Sequence, residues 1–253
     1  MTIERPPQQA LDHLQRAIDR ARRKSSVRLP EEFARDRHGK NPTPPLAQML
    51  KGGGHQLHTY LSILMKATKA PHETKVGTAE LAEMLYPEGA NGSNKRKIAS
   101  EIRRLEGPTL PMLQVQREAG RVPTVTVLHP NGSGEQWDAA RLPSPYITLP
   151  IELWKNGWIL VLSPRALGMF IILRELTNGR SDRNAAWVDP IRPKQYGLSN
   201  DTWTRATAEL QQVGLLTIEQ KVASFYGEPR RRNIYTLHVD YMKGAEPRQG
   251  EMP

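Results

Sequence analysis

Apolar residues between 55 and 140 recur at helical spacing in three segments and then alternate at strand spacing. The pattern predicts three helices followed by a β-hairpin. The predicted helices cover 55–69, Thr78 to Leu85 and a segment that begins near Ser93, and the predicted strands cover 112–116 and 124–128. In the third helix, positions spaced i, i+4 and i+7 face the core and the cationic positions point away. These core positions are Ile98, Ile102 and Leu105.

The same order of elements returns between 141 and 243. Ser163 and Pro164 begin an apolar helix that runs to Leu176. The elements predicted after it are a strand over 185–188, a short helix over 191–196, a third helix capped by Ser199, and strands over 215–222 and 233–239. The inner stripe of that third helix is Trp203, Ala206, Leu210 and Val213. The loop between the last two strands, 225–232, ends in three arginines: Arg230, Arg231 and Arg232.

The remaining segments differ in composition from these two blocks. Over 1–40, a narrow apolar stripe surrounded by Lys and Arg predicts a basic amphipathic helix. Such a helix serves as a DNA-contacting arm, as the contact of a homodimer, or as a frayed solvated terminus. Over 41–54, a Pro-rich and then Gly-rich sequence predicts a linker. A disordered tail is expected over 244–253.

The turn and third helix of the second block carry the most specific pattern. Gly197-Leu198-Ser199, an apolar anchor at Trp203 and the run from Leu210 to Leu216 resemble the turn and recognition helix of bacterial winged helix-turn-helix regulators. The segment from Thr78 to Leu85 looks like the second helix of the same motif. Two such domains in one basic chain are also similar to plasmid-type replication initiators. The resemblance implies a mostly α fold with small β-wings (α+β), with winged-helix domains in tandem over 55–140 and 141–243.

Charge and composition narrow the class of partner. Lys and Arg number 36 against 26 Asp and Glu, so the formal charge is +10 and the pI is about 9.9. A charge of this sign speeds encounter with polyanions, which favours nucleic acid and, second, an anionic membrane surface. No apolar run approaches the roughly 20 residues of a membrane span, so we expect a cytoplasmic, nucleoid-associated protein outside the membrane. The absence of Cys excludes disulfides, thiol nucleophiles and Cys-ligated metal sites.

A helix in the major groove reads base edges with the outward residues of its first turns, and wings contact phosphate or the minor groove. In the first domain the predicted contacts are Asn94, Lys95, Arg96, Lys97, Ser100, Arg103 and Arg104 on the third helix, and Arg117 and Arg121 on the wing. In the second domain the predicted contacts are Asn200, Thr204, Arg205 and Gln211 on the third helix, and Arg230, Arg231 and Arg232 on the wing. Asp201 and Ala208 also face outward on this third helix. The third helix of the first domain is suited to tight binding of DNA, and the third helix of the second domain is suited to discrimination between sequences. The alternative for each charged residue is a solvated surface position.

Candidate catalytic groups are sparse. The histidines are scattered, and the i, i+3 pair His55 and His58 has no third ligand at metal-binding spacing. Glu80 and Glu83 are one turn apart, which is common on solvated helix faces. The segment 51–54 lacks the flanking residues of a phosphate-binding loop. We therefore expect no enzymatic activity, no metal and no cofactor.

The sequence favours a duplex DNA-binding protein, with a transcriptional regulator as the first hypothesis. A plasmid or mobile-element replication initiator that binds repeated origin sites is the alternative. A third hypothesis is a winged-helix adaptor that binds another protein.

Overall fold

The computed structural model describes residues 6–24, 26–35, 43–138, 146–177, 185–187, 195–225 and 228–244. For 185–187, 223–225 and 228–231 the description covers the backbone. The fold is α+β, with small antiparallel sheets between the helices, in agreement with the predicted class. Within these ranges, no helix combines the length and the apolar character needed to cross a membrane.

The described elements, in chain order, are α1 (Gln8–Ala21), β1 (Val27–Pro30), α2 (Pro45–Lys51), α3 (Gln56–Lys66), β2 (Glu73–Lys75), α4 (Thr78–Leu85), α5 (Gly92–Glu106), β3 (Leu113–Gln116), β4 (Thr124–Val127), β5 (Tyr146–Leu149), α6 (Glu152–Lys155), α7 (Trp158–Val161), α8 (Pro164–Leu176), β6 (Ala185–Trp187), α9 (Asn200–Gln212), β7 (Leu216–Phe225), β8 (Glu228–Leu237) and α10 (Tyr241–Gly244). We call the segment from α3 to β4 the first unit and the segment from α8 to β8 the second unit.

The two units share one topology. Within the described residues, each unit has a first helix (α3 or α8), a short strand (β2 or β6) and a later helix (α5 or α9). A hairpin follows, and its second strand lies in the middle of an antiparallel sheet. The strand order is β2-β4-β3 in the first unit and β6-β8-β7 in the second. The helices and hairpin predicted for the first unit are confirmed, and the inner positions Ile98, Ile102 and Leu105 are buried. In the second unit, most of the short helix predicted over 191–196 lies outside the described residues.

The second hairpin is longer than the sequence pattern predicts. β7 and β8 pair over ten residues each, from Leu216 opposite Leu237 to Phe225 opposite Glu228. Arg230, Arg231 and Arg232 therefore lie within β8, and the prediction of a loop over 225–232 is wrong. The sequence pattern did not predict this part of the strand, because the alternation of apolar and polar residues stops at a proline and three arginines.

The N-terminal helix is packed against the rest of the chain. α1 contacts α3, α4 and α6, and its stripe of Leu11, Leu14 and Ile18 is buried. β1 pairs antiparallel with β5, with Val27 opposite Leu149. The apolar face predicted for a loose arm or a homodimer contact is thus covered within the same chain.

A helix occupies the predicted linker. Pro44 and Pro45 stand at the N-cap and first position of α2, where proline is compatible with a helix because its missing N–H has no partner to lose. Leu46 and Met49 are buried, and α2 contacts both α3 and α8. The composition of 41–54 therefore does not mark a flexible linker over its described part. The tail predicted over 244–253 lies outside the described residues, apart from Gly244 at the end of α10.

Polar contacts connect neighbouring segments around a continuous apolar core. His58 of α3 donates from Nε2 to the carbonyl of Leu162, just before the second unit, at 2.8 Å. Arg35, after β1, forms an ion pair with Glu175 of α8 at 3.0 Å, in a site where both side chains are mostly buried. The first contact links α3 to the segment just before α8, and the second links the N-terminal segment to α8.

Candidate nucleic-acid interface

The third helix of the first unit, α5, begins at a side-chain cap. Asn91 accepts a hydrogen bond from the backbone N–H of Asn94 at 2.8 Å, which satisfies one of the free N–H groups of the first turn. The Asn94 side chain is buried, with 3% of its surface exposed, and donates to the carbonyl of Gly89 at 3.0 Å. The prediction that Asn94 faces outward is wrong, because this side chain closes the turn before the helix.

The outward face of α5 is cationic. Arg96, Ser100 and Arg103 are spaced i, i+4 and i+7 and form a stripe opposite the buried residues. The two arginines are exposed and the serine is half-buried. Lys95 is exposed beside this stripe. Among the described residues, the side chains of Lys95 and Arg103 have no hydrogen-bond or ion-pair partner, so both charges are available to a ligand.

Two more cations lie on one flank of α5 and are held by neighbouring groups. Lys97 Nζ lies 5.3 Å from the centre of the Tyr86 ring. Arg104 Nη1 donates to the carbonyl of Gly52 at 3.2 Å and forms a longer contact of 3.5 Å with Glu101. Burial raises the pKa of the Glu101 carboxyl. Both cations are exposed, so the contacts orient them without covering them.

The two arginines predicted for the first wing are paired with carboxylates. Arg117 makes a two-pronged contact with Glu106, with Nη1 at 3.0 Å from Oε1, and this hydrogen bonding raises the pKa of Arg117. Arg121 donates to Glu118 at 2.7 Å. Both arginines are exposed, but each has a neutralising partner on the protein. Sequence spacing identified the cations and missed the partner of Arg117, because Glu106 is eleven residues from it in the chain.

The third helix of the second unit, α9, is anchored by its polar residues. Ser199 caps it by accepting a hydrogen bond from the backbone N–H of the third helical residue at 3.1 Å. Glu209 accepts hydrogen bonds from the backbone N–H and the hydroxyl of Ser163 at 2.9 and 2.7 Å, which ties α9 to the start of α8. Trp203 is buried, as predicted, and its Nε1 donates to the Tyr235 hydroxyl at 3.4 Å.

The predicted base-reading residues of α9 are exposed and form two groups. Asn200, Thr204 and Gln211 lie along one flank, where the Thr204 hydroxyl donates to the carbonyl of Asn200 at 2.9 Å. Asp201 and Arg205 lie one turn apart on the outermost face, and Arg205 Nε donates to Asp201 Oδ1 at 2.9 Å. α9 carries this one arginine and two carboxylates, whereas α5 carries five cations and two carboxylates. The two third helices therefore differ in charge.

The second wing adds a cation that the sequence analysis did not single out. Lys221 of β7 lies opposite Arg232 of β8 in the strand register, and Lys221 Nζ is 3.3 Å from Glu219. In the same register Arg231 lies opposite Val222, and Arg230 opposite Ala223. The side chains of Arg230 and Arg231 lie outside the described residues.

Of the predicted histidine pair, His58 is buried and His55 is half-buried. His55 and His58 have ring centres 5.1 Å apart. Burial, with the nearby His55, lowers the pKa of His58 to about 4, and burial and the Lys97 charge lower the pKa of His55. Within the described ranges, no three His, Asp or Glu side chains are grouped to hold a metal ion.

Comparison with known proteins adds no relative. The chain matches no protein-family model, no curated protein and no solved structure. The functional argument therefore uses the topology of the two units and the side chains on their third helices.

Proposed function

We propose that both units are winged helices and that this chain binds double-stranded DNA with sequence preference, without catalysing a reaction. One observation carries the proposal: the same topology occurs twice, with a hairpin whose second strand lies in the middle of the sheet. In this topology α5 is the third helix, the element that helix-turn-helix proteins place against bases, and its outer face is cationic. The formal charge of +10 supports a polyanionic partner.

In the proposed complex, α5 enters the major groove, whose width accepts one helix. Arg96, Ser100 and Arg103 face the bases and the phosphates beside them, while Lys97 and Arg104 approach one backbone. Each cation that contacts a phosphate releases condensed counterions, so affinity falls as the salt concentration rises.

The second contact comes from α9, whose exposed Asn200, Thr204, Arg205 and Gln211 carry groups able to hydrogen-bond to base edges. Because the chain carries two third helices, it contacts two segments of DNA without a second copy. The presence of both contacts in one chain is compatible with a transcriptional regulator, which we favour, and with a replication initiator. A protected palindrome that overlaps a promoter supports regulation, whereas protected direct repeats near an origin support initiation.

A second candidate function concerns α9 alone. Its single arginine and two carboxylates supply no net positive charge, a composition that also suits a protein surface. In that case the second unit is an adaptor that binds another protein while the first unit binds DNA.

The proposal is tested by titrating a fluorescent random-sequence duplex at several salt concentrations. We expect Arg96→Ala/Arg103→Ala to weaken binding for all sequences and to reduce the log–log salt slope by about 1 per arginine removed, because each lost phosphate contact releases one counterion fewer. The matched control is Lys155→Ala/Lys243→Ala, which removes the same charge from exposed positions on α6 and α10.

The control separates specific contacts from net charge. If both double variants weaken binding equally, binding reflects net charge alone and the assignment of α5 is wrong. If the wild-type chain does not bind duplex DNA, the proposed function is wrong.

A further inference from the structure

We propose that Asp201 is a specificity-determining residue that positions Arg205 for a guanine and disfavours every other docking of α9. This inference rests on the proposed function, because it concerns how the second unit selects its DNA. Its starting point is that Asp201, a carboxylate, lies on the outermost face of α9, although we propose that this helix contacts a polyanion.

The contact between the two side chains leaves the guanine-binding edge of Arg205 open. Arg205 uses Nε to donate to Asp201 Oδ1 at 2.9 Å, and this hydrogen bond involves neither of its Nη groups. A guanine presents O6 and N7 as two acceptors in the major groove, and the two Nη groups of an arginine match them as a fork. With Nε fixed, the fork loses less side-chain freedom on binding, so the contact is preorganised.

The position of the pair places both groups where DNA would lie. Asp201 and Arg205 are on successive turns near the N-terminus of α9, with 67% and 63% of their side chains exposed. The opposite face is buried through Trp203, Ala206 and Leu210, so this helix has one outward direction. The helix is capped by Ser199 and tied to α8 by Glu209, which fixes that direction.

The charge of Asp201 supplies the selection against other sequences. A carboxylate close to phosphates is repelled, and α9 has no second cation to offset it. Docking of α9 is therefore favourable only where Arg205 gains its base contact, and incorrect sequences are rejected by repulsion as well as by the missing hydrogen bonds. α5 has an excess of cations, so its phosphate contacts add affinity on every sequence, in addition to its own base contacts.

The experiment compares affinity for two duplexes, using the full chain. The first duplex is the one that the wild-type chain enriches most from a random library, and the second has the same length and composition in scrambled order. We expect Asp201→Ala to bind the scrambled duplex more tightly and to reduce the ratio of the two affinities by about 10-fold or more, the discrimination lost with a bidentate arginine–guanine contact. We expect Asp201→Glu, which keeps the charge and the i, i+4 pairing, to retain the wild-type preference.

Two further variants separate positioning from charge and from folding. Arg205→Lys keeps the charge but has no fork, so the affinity ratio falls while binding to the scrambled duplex is unchanged. Asp240→Asn removes an equally exposed carboxylate, paired with Lys243 at 2.7 Å on another surface, and leaves the ratio unchanged. Melting temperatures of all variants close to that of the wild type exclude a structural cause.

The outcomes distinguish this inference from the proposed function. If the wild-type chain enriches a sequence but Asp201→Ala leaves the affinity ratio unchanged, the role of Asp201 is wrong and DNA binding stands. If Asp201→Ala weakens binding to both duplexes equally, the carboxylate does not select sequence. If the wild-type chain binds no duplex, both proposals fail.

Discussion

Two polar side chains, the half-buried Arg23 and the buried His58, connect α3 to the N-terminal segment and to the segment before α8. Arg23, after α1, donates to the carbonyls of Leu64, Met65 and Ala67 at the end of α3, at 2.6–3.4 Å. A cation at a helix C-terminus satisfies carbonyls that have no partner within the helix. Burial lowers the pKa of this guanidinium to about 10, so it remains charged at neutral pH. His58 makes the corresponding connection between α3 and Leu162, just before the second unit.

Because His58 is buried, we expect the free energy of unfolding to decrease as the pH falls. Burial lowers its pKa in the folded chain to about 4, below the ordinary value of 6.5, so the unfolded chain binds a proton more readily between these values. The stabilisation is complete above pH 6.5 and is lost as the pH falls towards 4, by up to roughly 3 kcal/mol. Thermal melting from pH 7.5 to 4.5 measures this loss.

A matched variant isolates the histidine. His58→Gln keeps a donor for the carbonyl of Leu162 and has no titrating ring, so we expect a flatter dependence of melting temperature on pH. Melting curves of wild type and variant that fall in parallel would show that His58 does not cause the acid sensitivity.

Residue exposure was predictable where helical period alone decides it. The period correctly turns Arg96, Arg103 and Arg205 outward and Trp203 inward. It fails at Asn94, since a capping interaction from Asn91 and a hydrogen bond to Gly89 bury that side chain. Local hydrogen bonds of Asn compete with the periodic pattern at helix ends, so a first-turn Asn is the residue at which period is least informative.

At the scale of elements, amino-acid composition led to wrong predictions of secondary structure where tertiary packing determines it. Pro44-Pro45 and the later glycines indicate a linker, yet α2 forms because α3 and α8 cover its apolar face. The length of the β7–β8 hairpin was equally hidden, since the ladder pairs backbone groups whatever the charge of the side chains. Elements with an unbroken apolar period, such as α5 and α8, were predicted correctly.

The contact between α2 and α8 predicts an unusual response to a glycine substitution. In a helix interior, Gly→Ala normally stabilises by up to about 1 kcal/mol. A Cβ at Gly168 of α8, however, would lie 2.7 Å from Leu50 Cδ1 and 3.2 Å from Cδ2. We therefore expect Gly168→Ala to destabilise the chain by about 1 kcal/mol, because overpacking outweighs propensity. Urea denaturation measures the free energy of unfolding.

A double-mutant cycle tests whether this contact is the cause. Leu50→Ala removes the obstructing atoms, so Gly168→Ala should become neutral or stabilising in that background. Equal effects of Gly168→Ala in both backgrounds would mean that α2 does not pack against α8 at this glycine.

At the scale of the whole molecule, the two units and the N-terminal segment form one body. The apolar core is continuous across them, α2 contacts both α3 and α8, α1 contacts α3 and α4, and β5, which pairs with β1, contacts α8. The separation between α5 and α9 is therefore set by packing, in contrast to two domains on a flexible linker, which accept many separations. Neither this arrangement nor the pairing of Arg117 with Glu106 follows from the sequence, because both depend on residues far apart in the chain.

The most direct test of the account is selection of binding sites from a random duplex library at near-physiological salt, with the wild-type chain and with Arg205→Ala. The account predicts two short sequence elements at one constant separation, and Arg205→Ala should retain only one of them. Elements at variable separations would contradict the fixed arrangement of the two units. No enrichment over the starting library would contradict sequence-specific DNA binding by this protein.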